Sequence, residues 1–184
     1  MIPIMFLCGA FFTSCKSHKK FVNRNVPAGG VEKTSSNSNR DKSANYADLS
    51  AKYANMLDVP TSSISNKALY QFIDDWYGTP YQYGGQTLDG VDCSGFVGNL
   101  LREVYNKNVP RTTTLIEEKA RPIPKSKLDE GNLVIFDIDG KKSSHIGVYL
   151  QNGHFVHASS SKGVIISDLS SEYYSKHFSK AAKL

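Results

Sequence analysis

Asp92-Cys93-Ser94-Gly95-Phe96 holds the one cysteine beyond residue 15 and opens an amphipathic run. Phe96, Val97, Leu100, Leu101 and Val104 fall on one stripe of a 3.6-residue period, so Ser94 to Tyr105 reads as a helix. Gly90 marks a turn before it, and the short carboxylate of Asp92 is placed to accept orphan N–H groups of the first turn. Cys93 then sits at the positive end of that helix. The macrodipole and the unpaired N–H groups there favour a thiolate, so its pKa is expected to fall below the ordinary value of about 8.5. A free cysteine is more often a small core hydrophobe. The histidines further along reverse that reading and make Cys93 a candidate nucleophile.

His145 and His157 lie in two extended runs, His145 to Leu150 and Phe155 to Ala158, joined by Gln151-Asn152-Gly153. Register decides whether they work together. If Asn152-Gly153 is a two-residue turn, Gln151 pairs with His154 and the histidines face opposite sides of the sheet. If Gly153 is left-handed in a bulge, Leu150 pairs with His154, and both rings share one face about 7 Å apart on a diagonal. His157 then lies opposite Gly147, which leaves room for its ring. In that register His145 takes the proton of Cys93, and His157 fixes the tautomer and orientation of His145. A metal site of Cys93, His145 and His157 is disfavoured, because it lacks the close ligand pairs usual for zinc. His18, His154 and His177 read as surface residues.

Around this pair the chain alternates in a recognisable order. Tyr46 to Met56 carries a weak helical signal. Ser65-Asn66 caps a helix whose face is Leu69, Phe72, Ile73 and Trp76, ending at Gly78 before Pro80. Tyr81-Gln82-Tyr83-Gly84-Gly85 precedes the cysteine helix, and its glycine pair would let a substrate approach the backbone closely. Leu115 to Ala120 reads as a short helix, with further strands at Asn132 to Phe136 and Val164 to Ser167. Helices first and antiparallel strands afterwards give an α+β layout.

An apolar fraction of 40% in 184 residues suits one core. The net charge of +5 is unevenly spread: residues 1–45 hold seven Lys and Arg against two acids, and residues 46–184 hold fifteen against fifteen. The folded part has no basic excess for a nucleic acid, and the positive segment suits an anionic surface. Residues 1–14 read as an export signal, too short for a membrane span. Phe12-Thr13-Ser14-Cys15 looks like a bacterial lipobox, in which Cys15 becomes the acylated N-terminus; Cys8, preceded by bulky Leu7, fits less well. Residues 15–61 then form the lipidated N-terminus and a flexible polar tether, and residues 62–184 the domain. After export only Cys15 and Cys93 remain, so no internal disulfide is available and a lone thiol is kept for its reactivity.

Six blocks in order carry a further likeness: Gly78-Thr79-Pro80-Tyr81, Tyr83-Gly84-Gly85, Gly90 to Phe96, Pro110-Arg111-Thr112, Ser144 to Tyr149 and Phe155-Val156-His157-Ala158. Over about residues 65 to 184 the chain resembles the NlpC-type cell-wall endopeptidases. The resemblance implies a papain-like α+β fold with the nucleophile helix packed on an antiparallel sheet. It also implies hydrolysis of peptidoglycan stem peptides, commonly between γ-D-glutamate and the diamino acid. By matching position Cys93 is the nucleophile, His145 the base and His157 the orienting third member. Tyr81 lies near the oxyanion, and Asp92, Ser94 and Arg111 help to hold the stem peptide. No cofactor and no metal are implied. The expected setting is the bacterial cell envelope, with a membrane held through the N-terminal lipid and positioning left to the tether or to a regulatory or adaptor protein. Two other readings stay open on the same residues: a catalytically weak wall-binding scaffold, and a related cysteine amidase or acyltransferase.

Overall fold

The computed structural model describes residues 37–184, with side chains from residue 45. Cys15, the expected signal peptide and the first part of the expected tether lie outside the described residues. The elements run α1 (Asn37–Leu57), α2 (Lys67–Trp76), β1 (Gln86–Thr87), β2 (Gly90–Val91), α3 (Cys93–Tyr105), α4 (Thr113–Lys119), β3 (Arg121–Ile123), β4 (Leu133–Ile138), β5 (Lys141–Tyr149), β6 (His154–Ser159), β7 (Gly163–Asp168), α5 (Glu172–His177) and β8 (Phe178–Lys183). Six strands form one antiparallel sheet in the order β3-β8-β4-β5-β6-β7. The α+β expectation is met.

The sheet has two unlike faces because its strands alternate. Leu133, Ile135, Ile146, Val148, Val156 and Ala158 point toward α1, α2 and α3 and join the main core. Phe136, Phe155 and Leu169, with Tyr149, Tyr174 and Phe178, form a smaller cluster on the other face. Helix α2 begins where Asn66 accepts a hydrogen bond from the Leu69 N–H at 3.2 Å, and it buries the expected Leu69, Phe72, Ile73 and Trp76. Trp76 stacks on Phe72.

One expectation is corrected. The segment before residue 62 is not tether throughout: α1 buries Tyr53 and Leu57 completely and Leu49 and Ala54 nearly so. Its stripe is narrow, since Leu49, Tyr53 and Leu57 recur every fourth residue amid polar ones, and only docking on α2 makes it a structural helix. The tyrosine hydroxyls fasten it: Tyr46 donates to the Ile64 carbonyl at 2.7 Å and Tyr53 to Asp74 at 3.1 Å. Packing against the core accordingly begins within α1 rather than near Ser62. Three elements, β3, α5 and β8, are additions that no local pattern had suggested. The residues of β8, Phe178-Ser179-Lys180-Ala181-Ala182-Lys183, have low strand preference; insertion between β3 and β4 satisfies both of its edges.

The register of β5 and β6 follows the second of the two sequence alternatives, with a different turn. Val148 pairs with Val156 and Tyr149 with Phe155, and the Leu150 N–H donates to the His154 carbonyl at 2.9 Å. Asn152 and Gly153 are both left-handed, as in a two-residue turn, and the His154 N–H donates to the Gln151 carbonyl at 2.9 Å. Leu150 and Gln151 thus both oppose His154. The extra residue sits on the β5 side of the turn, not at Gly153, and it brings His145 and His157 to the same face.

Candidate active site

Helix α3 starts on Asp92. One carboxylate oxygen, Oδ1, accepts from the Gly95 N–H at 2.7 Å and from the Ser94 hydroxyl at 3.1 Å. The other, Oδ2, accepts from the Gly84 N–H at 2.9 Å. Arg111 grips both oxygens, Nη1 to Oδ1 at 2.8 Å and Nη2 to Oδ2 at 2.7 Å. The same guanidinium donates to Ser94 Oγ at 2.9 Å and to the Gly85 carbonyl at 3.1 Å. A bidentate fork of this kind fixes geometry as well as charge. Burial raises the Asp92 pKa, but Arg111 and the two N–H groups outweigh it and hold the carboxyl below its ordinary range. Asp92, Ser94 and Arg111 all line the cleft, yet their polar atoms are largely taken up by one another. They build the wall of the cleft in which the resemblance expects them to help hold the stem peptide.

The glycine pair serves the same wall. A Cβ on Gly85 would lie 2.4 Å from the Gly90 carbonyl oxygen, and one on Gly95 would lie 2.4 Å from the Gly85 carbonyl oxygen. Loop and helix therefore approach to backbone contact, which only glycine permits. Gly84 remains at the cleft surface.

Cys93 is the first residue of α3 and is 6% exposed. Its sulfur lies 3.8 Å from the Thr113 hydroxyl, and that hydroxyl together with the Ile146 and Ser94 N–H groups favours the thiolate. Arg111, anchored on Asp92, carries the chain into α4 and so delivers Thr113 to the thiol. Burial pushes the Cys93 pKa up, and these donors only partly offset it. The expected fall at a helix N-terminus is thus overturned by desolvation, the stronger effect for a charge away from water.

His145 and His157 are brought together directly: His145 Nε2 and His157 Nδ1 are 2.8 Å apart, with the rings edge to face. They lie on the face of the smaller cluster, where His145 packs on Phe136 and His157 on Phe155. Pairing of β5 with β4 reaches Phe136↔His145, while its pairing with β6 covers Val148↔Val156 and Tyr149↔Phe155. His145 and Ile146 thus sit where β5 and β6 have parted. Gly147 is required at this point, because a Cβ would lie 2.7 Å from the Phe155 ring and 3.2 Å from His157 Cβ. Burial pushes the His145 pKa down to about 4; burial, then the neighbouring His145, also lowers that of His157. Among the described residues no hydrogen bond joins Cys93 to His145. Since Nε2 of His145 is committed to His157, Nδ1 is the nitrogen left for the thiol.

Tyr81 lines the same cleft as Cys93, of about 510 Å³, with Tyr83, Thr112, Thr113, Ser143 and Ser144 among its other walls. Burial first, then the charges of Cys93 and Asp92, raise its pKa. Sequence reasoning missed Thr113 at the thiol. It also missed Ser167 and Tyr174 at His157 Nε2, 3.0 and 3.1 Å away. Thr113 directly follows the Pro110-Arg111-Thr112 block; Ser167 and Tyr174 carry no local signal of this role. His177, read as a surface residue, contacts the Asp137 carbonyl at 2.9 Å. Among the described residues no group of three or more His, Cys, Asp or Glu is arranged to hold a metal, and no helix is long and apolar enough to cross a membrane.

A cysteine at the start of a helix packed on an antiparallel sheet, beside a histidine pair on adjoining strands, defines the papain-like α+β class. Within that class the chain belongs to the NlpC/P60 family, which matches residues 78–183. It is 37% identical over 126 residues to the Murein DD-endopeptidase MepS/Murein LD-carboxypeptidase of Escherichia coli K12, covering 68% of this chain and 66% of that protein, just under two thirds of its length. It is 42% identical over 113 residues to the Probable endopeptidase NlpC of the same organism, covering 61% of this chain and 73% of the relative. Among solved structures it superimposes on a protein similar to lipoprotein of the NLP/P60 family from Staphylococcus aureus subsp. aureus Mu50. There the TM-score is 0.58 at 25% identity, over 64% of this chain and 40% of that one.

Proposed function

We propose that this protein is an exported cysteine endopeptidase that hydrolyses peptide bonds in peptidoglycan stem peptides. The observation that carries the reading is the 2.8 Å contact between His145 and His157, on strands beside a buried thiol that opens on a cleft lined by Tyr81. The relative named a murein endopeptidase supports the substrate class. Cys93 is the nucleophile, His145 the base and then the acid, and His157 the orienting member.

Burial keeps both partners neutral at rest, a thiol beside an imidazole. As Sγ attacks the scissile carbonyl carbon, its proton passes to His145 Nδ1, and the imidazolium Nε2–H is held by His157 Nδ1. The oxyanion is met by the Cys93 backbone N–H and the Tyr81 hydroxyl. Collapse expels the amine, which takes the proton from His145 Nδ1. Water, deprotonated by His145, then attacks the thioester and releases the carboxylate and the thiol. The chemistry needs no cofactor. Asp92, Ser94 and Arg111 hold the substrate cleft in shape, and their exposed edges border the bound stem peptide.

The lipobox reading makes Cys15 the lipid-bearing N-terminus and places the domain on a membrane of the bacterial cell envelope, with a regulatory or adaptor protein as a possible partner. The NlpC-type resemblance points to the γ-D-glutamyl–diamino acid bond, whereas the E. coli relative's name points to a D,D bond. Digestion of purified muropeptides by the full chain beside Cys93→Ala, with products identified by mass, tests the proposal and separates the bonds. The expected result is cleavage within the stem that disappears in the variant. A folded wild type that binds muropeptide and cleaves nothing overturns the reading in favour of a wall-binding scaffold.

A further inference from the structure

His157 is fully buried, so both of its ring nitrogens must find partners inside the protein. Nδ1 faces His145 Nε2. Nε2 faces two hydroxyls at once: Ser167 Oγ at 3.0 Å, from β7, and Tyr174 Oη at 3.1 Å, from α5. The sheet aims three of these side chains along one line. His157 pairs with Ile165, so Ser167 lies on the same face, on the diagonal opposite to the one that leads to His145. Tyr174 closes over the rings from α5, edge to face with His157 and Phe155.

A neutral imidazole has one N–H and one in-plane lone pair, so the row has two polarities. In one, His157 Nε2–H points at the hydroxyls, His157 Nδ1 accepts from His145 Nε2–H, and His145 Nδ1 keeps a lone pair. In the other, a hydroxyl donates to His157 Nε2, His157 Nδ1–H donates to His145 Nε2, and His145 Nδ1 carries a hydrogen. Only the first leaves His145 able to take a proton from a thiol. Two oxygens converging on one nitrogen fit it, because an N–H can be shared between two acceptors while a single lone pair takes one donor. Ser167 and Tyr174 are only half-buried, so each can send its own hydrogen to the other or to water.

We propose that Ser167 and Tyr174 are positioning residues that accept from His157 Nε2–H and thereby hold His145 in the tautomer that serves as a base. The kinetic part rests on the proposed endopeptidase reading; the tautomer part does not. In a Ser167→Ala/Tyr174→Phe double variant, His157 Nε2–H would be an orphan buried donor. The row then reverses, and His145 acquires its hydrogen at Nδ1.

Long-range nitrogen-edited NMR of the histidine rings reads both tautomers in the full chain. The expected result is Nε2–H on His145 and His157 in the wild type and Nδ1–H on both in the double variant. On muropeptide, kcat falls about tenfold or more with little change in KM, and Ser167→Thr/Tyr174→Phe, which keeps one hydroxyl, retains the wild-type pattern. Wild type with Nδ1–H on His157, or a folded double variant that keeps Nε2–H, overturns the inference. The expected tautomers in a chain that hydrolyses nothing uphold it and overturn the proposed function instead.

Discussion

Asp92 shows how far a single residue can be read and where that stops. Its place before an amphipathic run marks it as a helix cap, and it caps α3 through the Gly95 N–H. That the same carboxylate also anchors Arg111, nineteen positions away, follows from the packing of the loop before α4 on the start of α3, which no local pattern encodes. Arg111→Ala leaves Asp92, 6% exposed, with its backbone donors but without its counter-charge. The expected loss of stability is about 2 kcal/mol, near the low end for a broken ion pair because a third of the Arg111 side chain reaches solvent. Urea unfolding of the variant checks this. Hydrolysis is expected to fall as well, because Arg111 leads directly to Thr113 and the thiol. At Cys93 the helix terminus was legible, but the burial that governs its pKa was not; burial depends on which elements close over the sulfur.

Among the elements, α1 carries the most consequential difference. Its C-terminal end is tied to the β5–β6 turn: Asn152 donates to the Leu57 carbonyl at 2.9 Å, and Gln151 donates to the Ser63 carbonyl at 2.8 Å just beyond it. The turn that sets the register of His145 and His157 is therefore supported by the segment first read as tether. Leu57 is wholly buried, and Leu57→Ala is expected to destabilise the protein by about 3 kcal/mol, measured by thermal or urea unfolding. A chain starting at residue 62 is expected to melt well below one starting at Ser35, with the histidine ring signals shifted; equal melting temperatures would return α1 to the tether. The strands flanking the histidines were readable from alternation and β-branched residues. Strand β8 was not, because its stability comes from neighbours on both edges rather than from its own side chains.

For the whole molecule, the buried histidines set the response to acid. Unfolded, His145 takes a proton near pH 6.5; folded, only near 4. Between those values the unfolded chain holds more protons, so the stability owed to the neutral ring is complete above about pH 6.5 and is lost as pH falls toward 4. For His145 alone this is about 3 kcal/mol, and His157 acts in the same direction. Denaturant midpoints measured across this range are expected to fall steeply, and a flat profile would mean that the rings are not buried neutral. The sequence by itself determined the α+β order, the capped helix that starts at the cysteine, and the two histidines on neighbouring strands. These follow from periodicity, capping chemistry and spacing, which act over a few residues. Tertiary structure alone decided that Leu150 rather than Gln151 carries the register, that Arg111 locks Asp92, that α1 belongs to the core, and that Ser167 and Tyr174 meet at His157. Three of these join residues well separated in the chain, and the fourth, the turn register, is supported by distant Leu57 and Ser63; which surfaces exclude water from one another is settled only when the whole sheet and its helices close together.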